Sequence, residues 1–253
     1  MSCNLARKPR SLIKSAIGRA LSMYVAQKLR NEIAHCSDIE DYVDLSYNFH
    51  LRLRVPKLQN ILRITPLQIK EEIIQLLELL AELKPKTLLE IGTANGGTLF
   101  LFCRIASPDS TIISIDLPSG PFGGGYPSWR KPLYRTFTCY TQRVYLLRED
   151  SHDMKTLGKV RKILCERKLD FLFIDGDHTY EGVKMDFEMY SPLVRKSGII
   201  AFHDIAPHDR VHDPEGFVGV PKFWSEIKGI KKHLEIIRNH FQGWAGIGVL
   251  IKE

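Results

Sequence analysis

The 253-residue sequence predicts an α/β fold: a mostly parallel sheet with helices on both faces, ended by an antiparallel hairpin. Three observations lead there. Short apolar runs at 87–91, 111–115, 144–147, 171–174 and 199–202 alternate with helical stretches at about 96–107, 131–141, 152–166 and 179–190. Those runs are apolar throughout, as strands are when both faces of a sheet are covered. The tail breaks the rhythm. Strand candidates at 234–237 and 245–251 are joined by a short polar loop, too short for a crossover helix, so they pair antiparallel.

The elements follow in order. Segment 11–35 places Leu12, Ile13, Ala16, Ile17, Ala20, Leu21, Tyr24, Val25 and Leu29 at helical spacing. Segment 66–83 is a second helix, with Ile69, Ile73, Leu76, Leu77, Leu80 and Leu83 on one stripe, Pro66 near its start and Lys84-Pro85 closing it. The alternating pattern then begins. The expected division is a basic helical extension over 1–65, serving as lid or oligomerisation arm, and one domain over 66–253.

Charge is unevenly placed. The net charge is +7, yet Arg7, Lys8, Arg10, Lys14, Arg19, Lys28 and Arg30 lie in residues 1–31 with no Asp or Glu, so residues 32–253 are neutral. That argues against a nucleic-acid-binding face spread over the fold. The basic segment either contacts an anionic surface or simply covers the domain with its charges solvated. Five widely spaced cysteines, Cys3, Cys36, Cys103, Cys139 and Cys165, without a Cys-x-x-Cys pair, read as reduced thiols. No apolar run reaches the roughly 18 residues of a membrane span, and no signal-peptide core is present, so the expected location is the cytoplasm.

In such sheets, ligands bind beyond the carboxyl ends of the strands. The first strand runs into Glu90-Ile91-Gly92-Thr93-Ala94-Asn95-Gly96-Gly97. Gly92 permits a tight turn, and Gly96 and Gly97 let a helix start approach a ligand. The Gly-x-x-x-Gly spacing fails the Gly-x-Gly-x-x-Gly dinucleotide fingerprint, which disfavours a nicotinamide-dependent oxidoreductase. It resembles instead motif I of the S-adenosylmethionine-dependent methyltransferases. The second strand ends in Asp116, an acid able to accept both ribose hydroxyls. The third ends in Glu149-Asp150-Ser151. Asp150 either takes the adenine amino group or caps a helix, and Ser151 is a second cap candidate.

The fourth strand runs into Asp175-Gly176-Asp177-His178-Thr179-Tyr180-Glu181-Gly182, and the fifth into His203-Asp204-Ile205. Carboxylates gathered at one point repel one another unless a cation or proton joins them. Oxygen donors suit Mg²⁺ or another hard divalent ion, and His178 is placed to take a proton. Asp177 reads as a turn former, an N-cap or a ligand, and His203 as a ligand or a rim residue held by hydrogen bonds.

The string Ile174-Asp175-Gly176-Asp177-His178 through Tyr180-Glu181-Gly182-Val183, with the later Ala201-Phe202-His203-Asp204, is similar to class I methyltransferases of the cephalosporin hydroxylase-like and metal-dependent macrolide-sugar O-methyltransferase group. The resemblance covers about 66–252. It implies a Rossmann-like seven-stranded sheet with the final hairpin reversed. It also implies a metal on Asp175 and Asp204, a base at His178, and S-adenosylmethionine contacts at Glu90, Gly92, Asp116 and the Asp150-Ser151 turn. Thr93, Gly96 and Asp175 join the expected cofactor contacts. Related enzymes carry Asp-Asn or Glu-Asp where this chain has His203-Asp204, so His203 either replaces a metal ligand or leaves two carboxylates.

The expected activity is O-methylation of a small-molecule or sugar hydroxyl. A non-heme hydroxylase using His178, His203 and Asp175, or a nicotinamide-dependent oxidoreductase on a Rossmann-like fold, is the alternative. The Gly/Pro-rich loop 118–130, carrying Phe122, Tyr126 and Trp129, suits a lid or acceptor platform, and loop 207–220 borders the same crevice.

Overall fold

The computed structural model describes residues 8–49, 63–120, 124–229 and 232–253, with side chains from residue 16 onward. Cys3, Arg7 and Phe122 lie outside the described residues, as do the side chains of Lys8, Arg10 and Lys14.

Seven strands form one sheet: β1 (Thr87–Ile91), β2 (Thr111–Asp116), β3 (Arg143–Arg148), β4 (Leu169–Ile174), β5 (Val194–His203), β6 (His233–Ile236) and β7 (Ile247–Ile251). Their order is β3-β2-β1-β4-β5-β7-β6. The first five strands run parallel, and β7 is antiparallel to both β5 and β6. The chain moves outward from β1 to β3 and then returns to β4 beside β1. That reversal opens a crevice at the carboxyl ends of β1 and β4.

The apolar strands serve two cores by simple alternation. Leu88, Ile112, Phe171, Phe173, Ala201 and Val249 face one layer. It is closed by α1 (Lys8–Ile33), α2 (Ile39–Asn48), α3 (Lys70–Leu83) and α4 (Gly97–Ile105). Leu89, Ile113, Ile115, Leu172, Ile200 and Leu250 face the other, closed by α5 (Met154–Leu164), α6 (Tyr180–Tyr190) and α7 (Val220–Lys228).

Several elements differ from the sequence expectation. The helix expected over 131–141 is a series of short turns from Ser128 to Phe137. Pro132 sits at the start of its one α-turn, and Tyr134 and Phe137 wrap inward as core residues. The helix expected from 66 starts at Lys70, and Lys84 ends it in the left-handed region at φ 48°. Two helices were not anticipated. α2 is capped by Asp38, whose side chain accepts from the Asp41 N–H at 2.9 Å. α7 begins Val220-Pro221, with proline in its first turn, where the missing N–H costs nothing.

α1 lies on the β2–β3 connection. Val25 and Leu29 are buried, Ser22 Oγ donates to the Trp129 carbonyl at 2.9 Å, and Gly18 faces the Trp129 ring where a Cβ would stand 2.7 Å from it. Tyr126 is buried too, so two of the loop's three aromatics are packing residues. Among the described residues no helix is long and apolar enough to cross a membrane. Cys36, Cys103, Cys139 and Cys165 form no disulfide.

Candidate active site

The crevice is built on the turn after β1. Gly92 takes φ +96°, and a Cβ there would lie 1.9 Å from the Asp175 carbonyl oxygen. Only glycine lets the β1 and β4 exits run so close. Gly92 N donates to Ile115 O at 2.9 Å and Asp175 N to Ile91 O at 2.8 Å, extending the sheet one residue past the strands. Gly96, at φ +81°, leads into α4, and its N–H bonds the Thr93 carbonyl at 2.7 Å. Glu90 lies beneath this turn, buried. Thr98 donates to its Oε1, and Ser114 Oγ donates to its Oε2 at 2.9 Å. Burial pushes its pKa up to about 8 against those two bonds.

Asp116 receives four backbone N–H groups. Thr93 and Ala94 donate to Oδ2 at 3.1 and 2.7 Å; Leu117 and Gly125 donate to Oδ1 at 2.8 and 2.9 Å. Burial nevertheless raises its pKa above the usual carboxylate value. A cavity of about 260 Å³ opens beside it, lined by Gly92, Asp116, Asp150, Ser151, His152 and Asp177 among others. Asp150 Oδ1 accepts the His152 N–H at 2.9 Å. Neither Asp150 nor Ser151 caps α5, which starts at Met154 and is capped by Asp153, whose Oδ1 accepts the Lys155 N–H at 2.8 Å. The cap expected at Asp150-Ser151 therefore sits two residues further on, and the turn is left facing the cavity. His152, not anticipated from sequence, pairs with buried Asp186 at 3.3 Å, and that contact lifts its pKa to about 9.

The exits of β4 and β5 bring the acids and imidazoles together. His178 Nδ1 lies 2.8 Å from Asp204 Oδ2, and its Nε2 lies 3.6 Å from Asp175 Oδ1. His203 Nδ1 sits between the two carboxylates, 3.1 Å from Asp175 Oδ1 and 3.4 Å from Asp204 Oδ2. Burial disfavours charge on both histidines. The neighbouring carboxylates outweigh it, raising His178 and holding His203 well above the usual imidazole value. Burial likewise opposes charge on Asp204, but His203 and the hydrogen bonds from His178, His203 and His208 hold it well below the usual range. Asp204 sits at φ 64°, a left-handed conformation that few side-chain-bearing residues adopt and that Asp tolerates better than most. Asp177 is a turn former: its Oδ1 accepts from Thr179 N at 2.9 Å, while Thr179 caps α6.

Asp175, His178 and Asp204 each offer a donor atom, all within 4.8 Å of one another. The sequence left His203 as a replacement ligand or as a neighbour of two carboxylates. The imidazole in the converging set is that of His178; His203 approaches the same two carboxylates, and its buried Nε2 has no hydrogen-bond partner among the described residues.

Besides His152, sequence reasoning missed three participants. Gln68, buried before α3, donates from Nε2 to Asp175 Oδ2 at 2.7 Å. His208 Nε2 lies 3.2 Å from Asp204 Oδ1. Trp244 stacks on His212 with ring centroids 5.4 Å apart and planes 10° from parallel. Leu67, His208, His212 and Trp244 form the outer wall of a second cavity of about 310 Å³, whose floor is Asp175, His178, His203 and Asp204. Only loop 207–220 carried a sequence signal, through its position after β5.

Residues 89–205 match the family model of a methyltransferase domain. An uncharacterised protein of Sinorhizobium fredii, y4gI, is 27% identical over 171 residues, which is 66% of this chain and 17% of that protein. Probable caffeoyl-CoA O-methyltransferase 1 of Dictyostelium discoideum is 41% identical over 64 residues, 25% of this chain and 27% of its own length. The chain thus spans about a sixth and about a quarter of these two relatives. The O-methyltransferase from Bacillus cereus, solved in complex with SAH, superimposes with a TM-score of 0.52 at 17% identity, over 94% of this chain and 100% of that one, a likeness of fold. Residues 89–205, a little under half of the chain, thus resemble a methyltransferase domain, and the seven-stranded sheet shares the fold of the O-methyltransferase neighbour.

Proposed function

We propose that the chain transfers the methyl group of S-adenosylmethionine to a hydroxyl of a small molecule or sugar. One observation carries this reading: the two cavities share Gly92, Asp116, Gly124 and Gly176, so a ligand in the first meets a ligand in the second directly above the carboxylate–imidazole cluster. The first cavity suits the nucleoside. Asp116 is positioned for the ribose and the Asp150-Ser151 turn for the adenine. Asp175 lines the second cavity, while Glu90, Thr93 and Gly96 line neither and shape the turn beneath the first. The O-methyltransferase likeness and the SAH held by the Bacillus cereus neighbour support the choice of cofactor.

The donor set fits a hard divalent ion such as Mg²⁺, with Asp175 and Asp204 as anchors and His203 beside them. Such an ion, when bound, supplies Lewis acidity that eases deprotonation of the acceptor. The chain's own residues do the rest. Asp204 fixes the His178 ring through Nδ1, and His178 is the group that takes the hydroxyl proton. Gln68 and His203 fix Asp175 from two sides. The sulfonium methyl is already activated, so alignment and proton removal are the main tasks.

The test is a screen of nucleotide-sugars, glycolipids and catechols with labelled S-adenosylmethionine, alongside calorimetric titration. His178→Ala lowers turnover by about 10²–10⁴-fold with cofactor affinity retained. Asp175→Ala abolishes transfer, and a chelator mimics it. Full activity of Asp175→Ala with chelator present overturns the metal assignment, and failure to bind S-adenosylmethionine overturns the function.

A further inference from the structure

The outer face of α1 is unlike the rest of the surface. Its inner face is buried at Gly18, Ser22, Val25, Ala26 and Leu29. The opposite face exposes apolar side chains: Ile17 is 59% exposed, Met23 67% and Tyr24 50%, with Ala16 and Ala20 between them. Ile17, Ala20 and Tyr24 follow the i, i+3, i+7 rule, and Ala16, Ala20 and Met23 the i, i+4, i+7 rule, so they form one stripe over residues 16–24, which the exposed polar Gln27 and Asn31 continue. Cations edge it on both sides. Arg19 and Arg30 lie four and seven residues from Met23, and Lys28 lies four from Tyr24, its Nζ 5.4 Å from that ring centroid. All three are exposed.

We propose that this face of α1 lies on a bilayer carrying anionic headgroups, with Ile17, Met23 and Tyr24 entering the interface and Arg19, Lys28 and Arg30 at phosphate level. An apolar centre flanked by cations is the layout of a helix lying in a membrane interface. Charge complementarity selects this occupant over a second copy of the chain. Residues 1–31 hold seven Lys and Arg and no Asp or Glu, so two such faces repel. The apolar stripe selects a bilayer over a nucleic-acid backbone, which has nothing to bury it. The proposal is independent of the methyl-transfer reading.

The experiment is co-sedimentation of the full chain with vesicles of phosphatidylcholine alone or with phosphatidylserine. Binding is expected only with phosphatidylserine and weakens with salt. Arg19→Glu, Lys28→Glu and Arg30→Glu together lower partitioning about a hundredfold. Ile17→Ser, Met23→Ser and Tyr24→Ser together lower it about tenfold. The altered positions are solvent-exposed, and circular dichroism with thermal melting confirms the variants fold. Equal binding to both vesicle types, or none, overturns the proposal. So does an unchanged serine variant, which marks a polyanion site without insertion. A dimer in sedimentation velocity that the serine variant dissociates assigns the face to a second copy and overturns it too.

Discussion

Glu90 is a carboxyl group held where water cannot reach it, and its consequences are thermodynamic. Its pKa is about 8 in the folded protein against 4.5 for an ordinary glutamate, so the folded state binds the proton more tightly. Its contribution to stability is complete below pH 4.5 and is lost as pH rises through 8. Glu90→Gln keeps a polar partner for Thr98 and Ser114 without the buried charge. The variant is expected to melt at a higher temperature than the parent at pH 9 and at nearly the same temperature at pH 4, as read by calorimetry. At this scale the sequence was legible wherever a residue terminates a strand: Asp116, Asp175, His178, His203 and Asp204 all reach the crevice because their strands end there. Gln68, His208 and Trp244 were not. They arrive from segments with no periodic signal, and only tertiary contact brings them to Asp175 and Asp204.

At the scale of elements, pattern strength decided what was foreseen. The strands of the alternating unit and the terminal hairpin lie within a few residues of their expected places, because apolar runs bounded by turns leave little choice. The helix expected at 131–141 gave way to turns, since its aromatic spacing serves inward packing of Tyr134 and Phe137 around Pro132 instead of a helical face. α2 and α7 are short, and neither was anticipated. α1 is an integral element by packing: Leu29 is 1% exposed in the same cluster as Leu76, Phe100 and Phe171. Leu29→Ala is therefore expected to cost about 2–5 kcal/mol in chemical denaturation. A loss below 1 kcal/mol would show that the helix detaches at little cost.

For the whole molecule, one core layer crosses the division expected at residue 65. Val25 and Val43 pack in the cluster that holds Leu80, Leu88 and Ile112. Calorimetry is accordingly expected to record a single cooperative transition, with calorimetric and van't Hoff enthalpies equal; two resolved transitions would restore an independent extension. Residues 32–253 carry no net charge, so the excess of basic residues lies in the segment that includes α1. The two cavities also draw their outer walls from different stretches of chain. The first cavity is lined from the exits of β1, β2, β3 and β4, whereas His208, His212 and Trp244 of the second come from the connections after β5 and before β7. Inheritance can therefore act on them separately: under the proposed methyl transfer, mutations accumulating in the later connections would retune which acceptor is chosen, while the cavity at the earlier strand exits passes down unaltered.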